Sequence, residues 1–191
     1  MTKRKLPLLV LLFASLACTV FVGGPDYSDR PPIPVSTEAA ESLKEEIQRA
    51  FEAGAQSGEV TITITESQIT SVLALRLQRN QAGQEEPPLI SEPQVYLRDG
   101  QMQIFGKTKQ GIFTANIGIV VAVSVDENGK PKIEITSADF GPFPVPETLK
   151  EIISAMIDEA YTGSLGPVAT GLRIQTIVIA DGLMTIKGRI K

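Results

Sequence analysis

The sequence predicts an α+β domain in which an antiparallel sheet curls around an amphipathic helix, with additional helices nearer the N-terminus. Three β-hairpins are indicated, because turn dipeptides follow apolar stretches at Asp99-Gly100, Asn128-Gly129 and Asp181-Gly182. A long strand is indicated at 113–125, where every odd position is apolar. A helix is indicated at 149–160, which carries a wide apolar stripe at helical spacing.

The first 17 residues have the composition of an export signal. A basic run at 3–5 precedes an apolar stretch at 6–16, and small residues then lead to the only cysteine, Cys18. This order resembles a bacterial lipobox, so we expect cleavage before Cys18 and a lipid anchor on its thiol. The alternative is an uncleaved anchor over 6–22, a length near the lower limit for spanning a bilayer. Both interpretations place the remaining chain outside the cytoplasmic membrane.

Composition excludes several classes of function. The chain has no His and one Cys, which rules out a Ser-His-Asp triad, an imidazole metal site and a zinc ribbon. Cleavage of the signal peptide would remove three basic residues. The mature chain would then have 15 Lys and Arg against 22 Asp and Glu, a formal charge of −7. An acidic chain argues against nucleic-acid binding, which needs cations on phosphates.

We also predict that the protein is not an enzyme and has no catalytic residues, cofactor or metal. Asp99, Asp126 and Asp181 are assigned to turns, which is the common role of Asp before or near Gly. No glycine-rich phosphate loop and no GxSxG sequence is present. An enzyme remains the third interpretation, favoured if the fold brings a carboxylate together with Lys or Tyr in one pocket.

The predicted organisation is a signal peptide at 1–17, a lipidated Cys with a Gly/Pro-rich tether at 18–35, and one domain at 36–191. We expect the tether to be extended and to have no fixed tertiary contacts, because Gly and Pro dominate it. A helix is predicted to start at Ser36 or Thr37. Its inward face is expected to carry Ala40, Leu43, Ile47, Ala50 and Phe51.

A half-buried strand is predicted at 60–64, where Val and Ile alternate with Thr. Thr65 and Gln68 then form a capping box for a second helix. Its expected inward residues are Ile69, Val72, Leu73 and Leu77, and the polar residues 78–83 are predicted to form a loop.

The remaining chain contains the three hairpins and a helix predicted from Pro146 to Gly163. Residues 95–107 and 177–189 align without gaps as an internal repeat around their Asp-Gly turns. The repeat is explained either by shared turn chemistry or by duplicated hairpins that flank a groove.

The apolar faces of the long strand and the helix could bury an acyl chain, worth about 0.8 kcal/mol per CH₂. Met102, Met156 and Met184 would suit ligands of variable chain length. The alternative is that strand and helix pack together into a dry core. The candidate lining of a lipid groove is Phe113, Ile117, Ile119, Val121, Val123, Leu149, Ile153, Met156 and Ile157.

The order of these segments resembles the LmeA-like phospholipid-binding proteins, which are related to the tubular lipid-binding (SMP/BPI-like) superfamily. The resemblance rests on ITITESQIT at 62–70, PQVYLRDGQMQIFGK at 93–107, FPVPETLKEII at 143–153 and GLRIQTIVIADGLMTIKGRI at 171–190. It implies a long, strongly curved antiparallel sheet wrapped around a helix, with a lipid-compatible cleft.

The functional hypothesis is an exported, membrane-anchored lipoprotein that binds a phospholipid or other acyl-chain lipid for lipid transfer or envelope maintenance. Its expected partners are that lipid and, through Cys18, the membrane. The alternative is an anchored scaffold with a dry core and no small-molecule ligand, which binds an envelope protein through its edge strands or acidic surface.

Overall fold

The computed structural model describes residues 19–81, 88, 90–145, 168 and 171–191. Within those ranges it contains two helices, α1 at Thr37–Gly54 and α2 at Glu66–Gln81. The strands are β1 Val20–Phe21, β2 Glu59–Thr65, β3 Ser91–Arg98, β4 Gln101–Gln110, β5 Phe113–Val125, β6 Pro131–Asp139, β7 Leu172–Ala180 and β8 Leu183–Ile190. The α+β class is confirmed. The signal peptide, Cys18 and the helix predicted from Pro146 to Gly163 lie outside the described residues.

Helix α1 begins where the sequence predicts. The Ser36 hydroxyl accepts a hydrogen bond from the Ala39 backbone N–H at 3.0 Å, which satisfies one of the free donors of the first turn. Leu43 and Ile47 are buried, and Phe51 is partly buried on the same side. The predicted inward face of α1 is therefore confirmed.

Helix α2 has the predicted capping box. The Gln68 backbone N–H donates to Thr65 Oγ1 at 3.2 Å, and the Thr65 N–H donates to Gln68 Oε1 at 2.9 Å. The predicted loop at 78–83 is wrong for its first four residues, because α2 continues to Gln81. Gln and Arg are good helix formers, so a polar sequence alone did not mark the end of the helix.

The buried face of α2 also differs from the prediction. Thr70, Ser71 and Ala74 are buried, whereas Ile69, Val72, Leu73 and Leu77 are only partly buried. The Val95 N–H donates to Thr70 Oγ1 at 3.0 Å, and the Ser36 N–H donates to Ser71 Oγ at 3.1 Å. These two hydroxyls are buried because each accepts a backbone hydrogen bond, which offsets their loss of hydration.

The strands form two sheets, and all three predicted hairpins are present. One sheet has the order β1-β5-β4-β3, with β6 also paired to β5, and the other has the order β2-β8-β7. The first sheet is mixed rather than wholly antiparallel as predicted, because β1 pairs with β5 in parallel. Register shifts interrupt the β3–β4, β5–β6 and β7–β8 pairings. Such bulges bend strands and increase their twist, which is consistent with a curved sheet.

The two repeated hairpins lie in different sheets and meet at their turns. Asp99 and Gly100 have φ values of 55° and 74°, and Asp181 and Gly182 have 53° and 81°. These positive angles are the ones that two-residue hairpin turns require. The Gly182 N–H donates to the Leu97 carbonyl at 3.0 Å, so the second turn packs against the end of β3.

Two apolar cores fill the described part of the fold. The first lies between α1 and the β2-β8-β7 sheet, and the second lies between α2 and the sheet that contains β5. Strand β5 contributes to both, since Ile117, Ile119 and Val121 belong to the second core and Val125 packs on the first. With 13 residues, β5 is long enough to reach both cores.

The expectation that residues 23–35 make no fixed contacts is wrong. Residues 20–35, the N-terminal arm, run along the edge of β5 and across the outer face of β3 and β4. The Asn116 N–H donates to the Gly23 carbonyl at 2.8 Å, and Ile33 exchanges two hydrogen bonds with the Gln94 amide. Composition could not reveal this docking, because the arm binds through its backbone and the side chains of Tyr27 and Arg30. The predicted boundaries of signal, tether and domain stay predictions.

Candidate functional site: an apolar cavity beside the second core

The five predicted lining residues of β5 lie in different environments. Ile117, Ile119 and Val121 are buried in the second core. Val123 is partly buried, and Phe113 is 44% exposed at the first position of the strand. The four predicted lining residues of the later helix lie outside the described residues: Leu149, Ile153, Met156 and Ile157.

A seam of partly buried apolar side chains connects the two cores. Ile69 of α2, Met102 of β4 and Val123 of β5 contact both clusters. Met184, by contrast, is buried within the first core, and Met156 lies outside the described residues. Of the three methionines considered from sequence, Met102 is the one that the structure places between the sheets.

An apolar cavity of about 460 Å³ opens between the C-terminal half of α2 and the start of β3. Ala74 and Leu77 line it from the helix, and Ile90 lines it from the chain that enters β3. Leu77 and Ile90 also pack on the second core, so the cavity adjoins the buried part of β5. Its volume falls in the range of roughly 300–1,000 Å³ that small-molecule sites occupy.

The cavity contains one buried amide nitrogen without a partner. Gln81 Nε2 is buried and has no hydrogen-bond partner among the described residues. Gln78, one turn earlier, is exposed, and the Gln94 amide is already bonded to Ile33 and Pro93. Buried amides are normally paired, so Gln81 is the group in this wall that a ligand acceptor would satisfy.

The charge at this cavity is compensated. Among the described residues that line it, Glu92 is the one ionisable residue, and its carboxylate contacts Lys107 Nζ at 2.6 Å. That hydrogen bond from Lys107 to Glu92 raises the pKa of the Lys107 ammonium. The cavity therefore suits the uncharged part of a ligand.

A second cavity of about 480 Å³ has a different character. It lies between the β5–β6 turn and the start of β7, and it is lined by Val125, Asp126, Glu127, Gly129, Arg173, Ile174, Gln175 and Arg189. Four of these eight residues are charged, so desolvating their side chains would oppose the entry of an acyl chain. The first cavity is therefore the better candidate for binding an apolar ligand.

Sequence reasoning missed the cavity because it ended α2 too early. When the helix continues to Gln81, residues 74, 77 and 81 recur at helical spacing and share one face. That spacing was the available signal. Because 78–83 was predicted to be a loop, the shared helical face of residues 74, 77 and 81 was not recognised. The contact with Ile90, from another part of the chain, leaves no pattern in the sequence.

Within the described ranges, no group of three or more His, Cys, Asp and Glu side chains is arranged to hold a metal ion. Neither α1 nor α2 combines the length and apolar character needed to cross a bilayer.

No protein-family profile matches the chain, and no curated protein matches its sequence. Among solved structures, the chain is similar to the crystal structure of a lipopolysaccharide binding protein, with 12% sequence identity and a TM-score of 0.30. The alignment covers 70% of this chain and 49% of that protein, so the chain spans about half of that protein's length.

Proposed function

We propose that this domain binds the acyl part of a phospholipid or another acyl-chain lipid in the cavity at the C-terminal end of α2. One observation carries the proposal. An apolar cavity of about 460 Å³ contains the buried and unpartnered nitrogen Gln81 Nε2. Apolar walls favour a hydrocarbon, and one amide donor favours an oxygen acceptor such as an ester carbonyl.

The energetics support a lipid with a neutral acceptor. Each CH₂ group that leaves water for the walls of Leu77 and Ile90 contributes about 0.8 kcal/mol. An unpaired buried donor costs about 1–3 kcal/mol, and a ligand oxygen that accepts from Gln81 Nε2 would recover part of that cost. The described residues that line the cavity include no Lys or Arg, so they offer no partner for an anionic headgroup.

The proposal includes attachment to a membrane from the extracytoplasmic side. Its support is the sequence of residues 1–18, a basic start and an apolar stretch that lead to Cys18. A lipid on Cys18 would keep the cavity close to a source of lipid. An uncleaved anchor would do the same, but it would have to end before Val20 and not at residue 22 as predicted, because Val20 and Phe21 pair with β5. The role that we propose is lipid transfer or envelope maintenance.

Photolabelling tests the proposal. The full-length chain is mixed with phosphatidylcholine vesicles containing a phospholipid with a photoactivatable acyl chain, and the labelled peptides are mapped. We expect labels on peptides that contain Leu77 and Ile90. Labels confined to residues 19–22 and 110–114 would show contact with the bilayer surface alone and would contradict an internal acyl site.

Two glutamine variants separate binding from stability. We expect Gln81→Leu to lower acyl labelling several-fold and to raise the free energy of unfolding of the lipid-free protein, since it removes a buried unpaired donor. Gln78→Leu, an exposed residue of the same helix and cavity, is the matched control and should change neither quantity much. If Gln81→Leu raises stability but leaves labelling intact, Gln81 does not contact the lipid.

The second candidate function is an anchored scaffold with a dry core. It is favoured by the burial of Ile117, Ile119 and Val121, which the described side chains already surround. Such a domain would bind an envelope protein through its surface. In the photolabelling experiment it would give no label at Leu77 or Ile90, in the parent or in either variant.

A further inference from the structure

Four exposed apolar side chains gather at the turn between β4 and β5. Val20 is 44% exposed, Phe21 60%, Ile112 55% and Phe113 44%. They are four of the nine large apolar residues that are exposed in the described part of the chain. We call these four residues the apolar tip. Single exposed apolar residues are ordinary, but a contiguous group of them marks a surface that contacts something apolar.

Backbone pairing brings the four residues together. Strand β1 lies parallel to the start of β5, with Val20 opposite Phe113. The Val20 N–H donates to the Ile112 carbonyl at 2.8 Å, and the Val22 N–H donates to the Thr114 carbonyl at 2.9 Å. The tip is therefore a defined part of the sheet and is joined by backbone hydrogen bonds.

The residues in and beside the tip are also uncharged. Neither residues 19–22 nor residues 110–114 include an acidic or basic side chain. The nearest basic residue along β4 is Lys109, which is exposed and lies opposite Thr114. A long lysine side chain can direct its ammonium to the headgroup region while its methylenes lie along apolar surface. This arrangement is compatible with a lipid surface.

The sequence that precedes the tip favours a bilayer as the surface that covers it. Cys18 and Thr19 directly precede Val20, and the apolar stretch at 6–16 comes shortly before them. Because the N-terminal arm is bound to the sheet, it does not act as a spacer. Two residues extend at most about 7 Å, so a membrane anchor at Cys18 would hold the tip at the bilayer surface.

We propose that the apolar tip inserts into the interface of the bilayer to which the N-terminus is attached. The inference rests on the proposed membrane attachment and adds a second, independent contact to it. Its occupant is the lipid surface, and not the segment 1–18 or a second copy of the chain. The arm then fixes the orientation of the domain on the membrane, since it connects the anchor rigidly to β5.

A single-tryptophan experiment tests this inference, because the chain contains no Trp. Ile112→Trp places an indole at the tip, and Val178→Trp places one at a residue of β7 that is 56% exposed and belongs to the other sheet. Each full-length variant is reconstituted into phosphatidylcholine vesicles with bromine on the acyl chains. We expect several-fold stronger quenching for Ile112→Trp than for Val178→Trp, together with a blue-shifted emission.

The outcomes distinguish this inference from the proposed attachment. If the protein floats with the vesicles but the two indoles are quenched equally, the attachment stands and the inference is wrong. A blue shift for Ile112→Trp without quenching would mean that protein covers the tip, which also overturns the inference. A chain that does not float with vesicles contradicts both. Acyl labelling at Leu77 is a separate readout, so failure at the tip does not decide the cavity.

Discussion

The guanidinium of Arg30 lies 4.8 Å from the ring centroid of Phe105, and its carbon is also 5.0 Å from the centroid of Tyr96. Arg30 belongs to the N-terminal arm, and the two rings belong to the outer face of the sheet. Its NH1 also donates to Gln103 Oε1 at 2.6 Å. Tyr27 stacks on Phe105 with centroids 5.0 Å apart. This cluster is where the side chains of the arm bind the sheet.

Removing the Arg30 side chain should release the arm. A cation–π contact contributes about 0.5–2 kcal/mol, and Arg30 makes two of them. We expect Arg30→Ala to lower the midpoint of thermal unfolding and to speed hydrogen exchange at the Ile33 N–H. Arg49→Ala is the control, because the ion pair that Arg49 forms among the described residues is with Glu46 on the exposed surface of α1. Equal effects of the two variants would show that the cluster does not hold the arm.

Two adjacent glycines test how closely the arm approaches β5. Gly23 and Gly24 have φ values of 106° and 112°, so alanine is strained at both. A Cβ at Gly24 would lie 2.1 Å from the Asn116 carbonyl oxygen, whereas one at Gly23 would meet nothing within 4 Å. Gly24→Ala should therefore destabilise the arm more than Gly23→Ala. Comparing the rates of proteolysis in the arm measures the difference, and similar rates would contradict the docked position.

The capping box makes α2 sensitive to one hydroxyl. Thr65→Ala removes the acceptor for the Gln68 N–H and should cost about 1 kcal/mol in the free energy of unfolding. Thr65→Ser keeps that acceptor and should recover most of the loss. Denaturant unfolding of the three proteins measures both values. A Thr65→Ser protein as unstable as Thr65→Ala would show that the methyl group, and not the cap, is responsible.

Docking of the arm should weaken at alkaline pH. Burial raises the pKa of the Tyr27 and Tyr96 phenols above the ordinary value. The Tyr96 hydroxyl donates to the Pro31 carbonyl at 3.2 Å, a bond that ionisation removes. Each phenol therefore has a higher pKa in the folded protein than in the unfolded chain, where it is about 10. The stability that the neutral phenols contribute is complete below that unfolded value and is lost as the pH rises through the folded pKa.

Unfolding midpoints measured on either side of pH ~10 check this expectation. The Tyr27→Phe/Tyr96→Phe protein should lose less stability across that interval than the parent. Lys107, whose pKa the hydrogen bond to Glu92 raises, loses its stabilisation in the same direction and remains in both proteins. A double variant with the same alkaline loss as the parent would show that the phenols do not contribute.

Local patterns in the sequence predicted much of this fold. The capping box at Thr65, the start of α1 after Ser36 and the two Asp-Gly turns each depend on residues within a few positions of one another. The alternation of apolar residues also predicted both ends of β5 correctly, at Phe113 and Val125. These features are determined by short-range hydrogen bonds and by burial of one face, and both leave a readable sequence pattern.

Contacts between segments that are distant in the chain left no readable pattern in the sequence. The arm was predicted to lack contacts, yet its Gly23 carbonyl accepts from Asn116 and its Arg30 stacks on Phe105. The cavity at Gln81 depends on Ile90 approaching from another segment. Periodicity predicted that β5 has an apolar face, but not that Phe113 at its start would be exposed while Ile117 is buried. Which of several apolar residues is covered depends on the whole chain.

Extraction of noncovalent lipid from the purified full-length protein tests the central claim most directly. Organic solvent leaves any lipid on Cys18 attached, so the extract reports only what the domain binds. We predict close to one phospholipid or other acyl-chain lipid per chain for the parent and for Gln78→Leu, and clearly less for Ala74→Leu, which narrows the cavity. An extract without acyl lipid from the parent protein, repeated from several expression hosts, would contradict the account.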